Sequence, residues 1–464
     1  MSAAVFWIIL PCVAAIGLLP FLRHARLVKL VGIVVSLFLT ILALFQSIGD
    51  VIKLGPISIN VNPSLGFFGR TLTLENPDRI ALTLIFLVVL IYLTYFDVNR
   101  FPIKFIPLTL LIAGMLVAAI AVTPFLYSAV FFEIAILLMV PMVLDESNAD
   151  SKGILSFVVY QSLAIPFILM SGWILGGSQA SPSDQVRSYI AGFCLLVGFA
   201  FWLAVFPFHT WVSQFSRSVN PYYSGLIFSL LPIVALILMT DYVSGLIWLR
   251  ESQVLGPVLR TIGIIMIVTS GIWAAVEKDL RRIVAESVLF ETGFALVLLS
   301  LLTTESTVAF YQAFLPRIIA LFVMSFSLRG LKDAGIPLTI DGITGKIKRY
   351  PFTVTCFLLA LFSVVGMPLF AGFSEKLSAF QFVSQLPGNI LVWMMVGVGG
   401  FLFSALRYYS FATKPVDEDS ASSEQVTQVA VLVIMTFVLL LLGAFPNLLP
   451  QLFSGLFSSL PVLQ

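Results

Sequence analysis

Few side chains in this sequence can carry a proton, and most of them stand in apolar surroundings. Glu133 lies in SAVFFEIAILLMVPMVL, Arg317 in YQAFLPRIIALFVMSF, and Glu375 with Lys376 in GMPLFAGFSEKLSAF. Glu286 and Glu291 are five residues apart in RRIVAESVLFETGFAL, and His209 sits in AVFPFHTW. A charge placed in hydrocarbon is costly, so each of these groups must face a bundle interior, a hydrated cavity or a charged partner. Carboxylates and lysine can pass protons on. Arginine holds its proton and can only bias its neighbours or tie helices together. Histidine titrates near neutrality and is suited to a relay. Each group also has a structural reading. Glu133 can be a carboxylate held by a base of a neighbouring chain, His209 can be bonded to a loop, and Glu375 and Lys376 can form a loop-end pair. Asp241 and Arg407 lie near helix ends, where long or polar side chains reach water.

The elements that must hold these groups follow from composition. The chain has 464 residues, of which 59% are hydrophobic and 10% charged, and its mean hydropathy is +1.07. Soluble proteins carry about a quarter charged residues. The reading is therefore an all-α polytopic membrane protein. Windows of ~20 apolar residues recur from 3–21 to 427–448 and number fourteen; those holding the ionisable groups are 126–144, 190–213, 283–302, 307–328 and 352–377. The first window has no basic stretch before it and reads as a first helix rather than a signal peptide. Pro207 interrupts the seventh window, and Gly366, Pro368 and Gly372 interrupt the twelfth. Broken backbone at membrane depth is tolerated where it is buried in protein or lines a cavity, and there it offers free polar groups to an ion path. The weak alternation of ISINVN suggests a small hairpin within 49–78.

Basic residues orient the spans. With both termini outside, seventeen of the 25 Lys and Arg fall in inside loops and six in outside loops, the asymmetry expected of an even number of spans. The net charge of +2 suggests no nucleic-acid partner. Cys12, Cys194 and Cys356 each stand alone in apolar sequence, which excludes an iron–sulfur or zinc site built from them. No cofactor is expected in the chain. The tail from Pro450 reads as a short interfacial segment.

Four stretches, in order, resemble one family: the antiporter-like, proton-translocating membrane subunits of respiratory complex I, of multi-subunit sodium/proton antiporters and of membrane-bound hydrogenases. FFEIAILLMVPM resembles the family's fifth helix with its glutamate, at Glu133. FPFHTWVSQF resembles the seventh-helix P-x-H-x-W signature, EKDLRRIVAESVLFETGFAL the opening of the tenth helix, and GITGKIKRYPFTVTCFLLALFSVVGMPLFAGFSEKLSAF the run into a broken twelfth helix. The resemblance covers roughly residues 75–410 and implies inverted five-helix repeats centred on broken helices 7 and 12. On that reading, residues 1–100 form an N-terminal three-helix segment, 101–245 the first antiporter-like half, 246–412 the second, and 413–464 a polar loop, last helix and tail.

The sequence also departs from the family. Trp202 stands where the resemblance places a seventh-helix lysine, and residues 218–240 hold no ionisable side chain where the eighth helix usually carries one. Arg317 replaces an eleventh-helix lysine, while Glu133 and Lys376 keep the expected character. Indole donates one hydrogen bond and carries no proton. The first half is thus expected to be altered or closed, and the second to retain a route. The implied function is a membrane subunit of a complex-I-like or antiporter-type assembly, a non-redox part of an NADH- or ferredoxin-quinone oxidoreductase-like machine. It would move protons or sodium along Glu133, His209, Glu291, Arg317, Glu375 and Lys376, in an energy-converting membrane and with other membrane subunits as partners. The alternatives are a degenerate, non-conducting structural paralogue and a stand-alone secondary transporter.

Overall fold

A computed structural model describes residues 2–48, 51–54, 57–60, 62–67, 69–144, 151–175, 185–386, 388–415, 424–448, 450 and 454–457. The tail from Pro450 lies mostly outside these residues. The chain is helical almost throughout. A wide turn over Val5–Ile9 leads into α1 (Leu10–Leu18), followed by α2 (Ala25–Phe45), α3 (Arg79–Thr94), α4 (Phe105–Ala121) and α5 (Ser128–Val143). Then come α6 (Ser151–Ser162), α7 (Ala164–Ile174), α8 (Gln185–Trp202), α9 (Thr210–Ser218), α10 (Pro221–Gly245) and the short α11 (Ile247–Arg250). The second part holds α12 (Leu255–Val276), α13 (Leu280–Leu299), α14 (Thr304–Gln312), α15 (Phe314–Asp333), α16 (Pro351–Val365), α17 (Gly372–Ser384), α18 (Ile390–Ala412) and α19 (Val426–Ala444). Among the described residues nine helices are long and apolar enough to cross a membrane, four more are apolar but shorter, and α13 carries Arg281, Arg282, Glu286 and Glu291. The protein is an integral, multi-pass membrane protein.

The expected hairpin is present. β1 (Val51–Leu54) pairs antiparallel with β2 (Ile57–Asn60). A second hairpin, β3 (Ser64–Phe67) with β4 (Arg70–Thr73), extends to β5 (Val122–Thr123). Ser2 bridges to Asn62, and the turn Ser454–Phe457 packs against Asn76–Asp78, so both lie at the hairpin end of the bundle.

Local sequence sets where the helices start and stop. Asn220 and Asp279 cap α10 and α13 by accepting from the N–H groups of Tyr222 and Arg281. Thr303 and Ser306 form a reciprocal cap on α14. Two prolines explain two breaks that the composition alone does not suggest. Pro166 has no N–H to give to the carbonyl four residues back, at Ser162, and α6 ends at Ser162. Pro316 stands in the same relation to Gln312, where α14 ends. The paired stretches YQSLAIP (160–166) and YQAFLP (311–316) thus make the same interruption twice.

The core lies around α10, α13 and α15, which are buried along nearly their whole length. Helix α12 packs tightly between α13 and α18 because glycines let the backbones meet. A Cβ on Gly263 would stand 2.7 Å from the Gly293 carbonyl oxygen, and one on Gly293 equally close to that of Gly263. Helices α2, α18 and α19 are peripheral and expose apolar faces, including Leu30, Val34, Trp393, Phe403, Ile434 and Phe437, as lipid-facing helices do.

Candidate functional site

The break in the twelfth apolar stretch builds the most polar buried site in the described residues. Helix α16 ends at Gly366, which adopts φ +82°, a left-handed conformation that costs other residues strain. The chain then runs through Met367–Ala371 and re-enters a helix at Gly372. Gly372 has no room for a side chain, since a Cβ there would overlap the Ser363 carbonyl oxygen. These two glycines fold the break back on itself and aim Lys376 inward. Its Nζ donates to Glu291 Oε1 at 2.7 Å and to Glu375 Oε2 at 3.0 Å. It also lies 5.3 Å from the Phe294 ring centroid. Lys376 is 2% exposed and both carboxylates 5%.

Arg317 completes this cluster from α15. It is 3% exposed, and its Nη2 donates to Thr292 Oγ1 at 2.9 Å and to the Val288 carbonyl at 3.3 Å. It lies within Coulombic reach of Glu291 and Glu375. Two cations therefore face two carboxylates, and the charges balance. Glu375 Oε1 and Arg317 Nε and Nη1 have no protein hydrogen-bond partner, so the cluster retains donors and an acceptor that the buried protein groups leave unused.

Glu286, one and a half turns earlier on α13, points to a different neighbour. Its Oε1 accepts from Ser213 Oγ of α9 at 3.0 Å, and its Oε2 is unpartnered. The ends of α9 and α13 are tied by Arg281, which donates to the Arg217 carbonyl and pairs with Asp279 at 2.8 Å. Thus α13 places one carboxylate against each broken helix. Sequence reasoning placed Glu291 in the pathway and left Glu286 out. The signal was there in the five-residue spacing, but its partner Ser213 lies 73 residues away.

The first half is organised differently. Its break spans 203–209, between α8 and α9, with Ala204 at φ +53°. Glu133 on α5 is half-buried; its Oε1 accepts from Ser162 Oγ at 2.5 Å and its Oε2 has no partner. Ser162 sits at the α6 break made by Pro166. Among the described residues no base lies within ion-pair distance of Glu133. Trp202 is buried against Phe132 (4.3 Å between ring centroids) and edge-on to Phe199. Its carbonyl accepts from Gln161 at 3.4 Å, while its Nε1 is unpartnered. His209 is half-buried beside the exposed Phe206 and Pro207, its ring stacked on Phe206 at 5.5 Å. The sequence-derived residues therefore divide. Glu291, Arg317, Glu375 and Lys376 come together with Gly366, Pro368 and Gly372. Glu133, Pro207 and His209 stay apart from them. Between the two sites, α10 offers buried hydroxyl groups but no carboxylate, lysine, arginine or histidine in residues 218–240.

Comparison with known proteins bears on this arrangement. Residues 182–404 match the family described as "NADH:quinone oxidoreductase/Mrp antiporter, TM". The chain is 23% identical over 350 residues to NADH-quinone oxidoreductase subunit N 2 of Acidobacterium capsulatum, an alignment covering 70% of each chain. It is 28% identical over 247 residues to subunit N of Sulfurimonas denitrificans, covering 49% of this chain and 47% of that one. Its fold matches a chain of the Mrp complex from Dietzia sp. DQ12-45-1b with a TM-score of 0.82, at 16% identity, over 99% of this chain and 97% of that one. Over residues 182–404 the chain is similar to the membrane domain of the NADH:quinone oxidoreductase/Mrp antiporter family, and over nearly its whole length it shares the fold of an Mrp-complex chain.

Proposed function

We propose that this chain is a membrane subunit of a complex-I-like or antiporter-type assembly, and that it moves protons through its second half, residues 246–412. The observation that carries the reading is the charge-balanced cluster of Lys376, Glu291, Glu375 and Arg317 at the α16–α17 break. Transfer of a proton from the Lys376 ammonium to the Glu291 carboxylate, along a 2.7 Å hydrogen bond, yields an amine and a carboxylic acid. Both are neutral, so the proton shifts within the cluster with no change in its net charge, and passing it onward leaves one carboxylate to take up the next proton. Arg317 keeps its own proton and biases the acids. Protons fit better than sodium, because an ammonium group fills the space between the carboxylates that a metal ion would need.

The first half, residues 101–245, is on this reading closed. Trp202 fills the position against Phe132 with indole, and Glu133 has a serine for a partner. The described N-terminus and the Ser454–Phe457 turn share one end of the bundle, which supports placing both on one side of the membrane, and the excess of Lys and Arg in the inside loops supports making that side the outer one. Other membrane subunits would couple the site to a redox reaction or an ion gradient. The same closed first half also favours a second reading, a spacer that conducts nothing.

The test is proton pumping by the assembly reconstituted with Lys376→Ala, and in parallel with Glu291→Gln. The expected result is normal assembly with pumping lost in both. Pumping at the unmodified rate in both would sink the second-half route.

A further inference from the structure

A groove of about 900 Å³ opens at the end of the bundle opposite the hairpins, away from the cluster just described. It runs between the start of α2 and the start of α19, over the ends of α3 and α15. Arg26, Lys29, Arg100 and Arg329 line it, and among the described residues that line it the carboxylates are Asp97 and Asp333. Those two are already engaged. Asp97 pairs with Arg100 at 3.2 Å and Arg329 at 3.6 Å, and Asp333 pairs with Arg329 at 3.7 Å and also bonds Arg100. Arg26 and Lys29 form no ion pair among the described residues, and Lys29 gives a hydrogen bond only to the Phe96 carbonyl, at 2.8 Å.

Arg329 marks the groove as a built site. It is 5% exposed and lies over the rings of Phe101 and Tyr222, at 4.5 Å and 5.0 Å. Its Nη1 still has no partner. A buried guanidinium fixed by aromatic rings, with a donor left over, is poised for an anion that enters the groove. The walls say what carries that anion. Leu27 of α2 and Val431 of α19 line the groove, and above them both helices expose apolar side chains such as Leu30, Val34, Ile434 and Phe437. The site is cationic at its base and apolar along its flanks.

We propose that this groove binds an anionic phospholipid, with its phosphate held by Arg26, Lys29 and Arg329 and its acyl chains lying along α2 and α19. Basic grooves between spans at the membrane surface suit such headgroups.

Native mass spectrometry of the full chain, purified in phosphate-free detergent, tests this with three probes: phosphatidylglycerol, phosphatidylcholine of the same chain length, and inorganic phosphate. Phosphatidylglycerol is expected to bind more tightly than phosphatidylcholine. The double variant Arg26→Gln/Lys29→Gln alters exposed and half-buried groups at the mouth, so it leaves the fold intact. It is expected to weaken phosphatidylglycerol binding about 5-fold for each cation removed, with phosphatidylcholine binding unchanged. Lys348→Gln, an exposed change elsewhere, is expected to alter neither. Equal binding of the two lipids, an unaltered double variant, or an equal loss in Lys348→Gln would overturn the proposal. Displacement of phosphatidylglycerol by millimolar phosphate would overturn it too, since the site would then take a free anion.

Discussion

The Lys376–Glu291 contact allows a double-mutant test of whether the cluster is coupled as its geometry requires. Lys376→Met keeps most of the side-chain stem and removes the ammonium. Separations of 2.7 Å and 3.0 Å correspond to attractions of about 6 and about 5.5 kcal/mol at an effective dielectric constant of about 20. Desolvation of the three ions offsets most of this. What remains visible is the cost of stranding two buried carboxylates, about 3–5 kcal/mol when one partner of a buried pair is removed. Glu291→Gln in the Lys376→Met background removes one stranded charge and keeps a hydrogen-bonding group of similar size. It should therefore recover stability, with a coupling of about 2–3 kcal/mol between the two sites. Denaturant titration of the detergent-solubilised protein reads the stability, and proteoliposomes read the pumping. The single and double variants should both fail to pump, although the double variant is the more stable. Additive losses in stability would refute the coupling, and pumping by the double variant would refute the role of the pair.

Other substitutions separate the two halves. Trp202→Ala should cost about 3–5 kcal/mol through lost aromatic packing, seen as a lower melting temperature, while pumping per assembled complex stays unchanged. Glu133→Gln, which keeps an acceptor for Ser162, should leave pumping intact; a loss would reopen the first half to transport. Gly366→Ala should cost about 1–2 kcal/mol for a side chain in the left-handed region. Its Cβ would also stand 2.9 Å from Lys376 Cγ, so pumping should fall with stability. Arg317→Met should abolish pumping by leaving Glu291 and Glu375 under-compensated, and a normal rate in proteoliposomes would reduce Arg317 to a cross-link.

Much of this arrangement was legible in the sequence because the bilayer is a demanding solvent. Each apolar stretch read from composition contains a helix, and Pro207 and Gly366–Gly372 mark the breaks between α8 and α9 and between α16 and α17. The interruptions at Leu163 and Ala313 were harder to see, because their cause is a missing N–H three residues downstream rather than a residue at the break. The pairing within the cluster was hidden for a different reason. Glu291 and Lys376 are 85 residues apart, and nothing local says that α13 and α17 meet. Residue types showed which groups must be satisfied inside the membrane. They could not show that Lys376 takes both carboxylates while Glu133 takes a serine.

Glu286 and Glu291 share one unbroken helix. Five residues set them about 140° apart round its axis and about 7.5 Å apart along it. One engages α9 and the other α17, so α13 acts as a common shaft between two hinges. A turn of that shaft carries both carboxylates at once and alters their engagement with α9 and α17 together. The glycine contact with α12 seats the shaft like a bearing, restricting such movement. A first half that conducts nothing can therefore still act as ballast, setting the angle at which α13 presents Glu291 to Lys376.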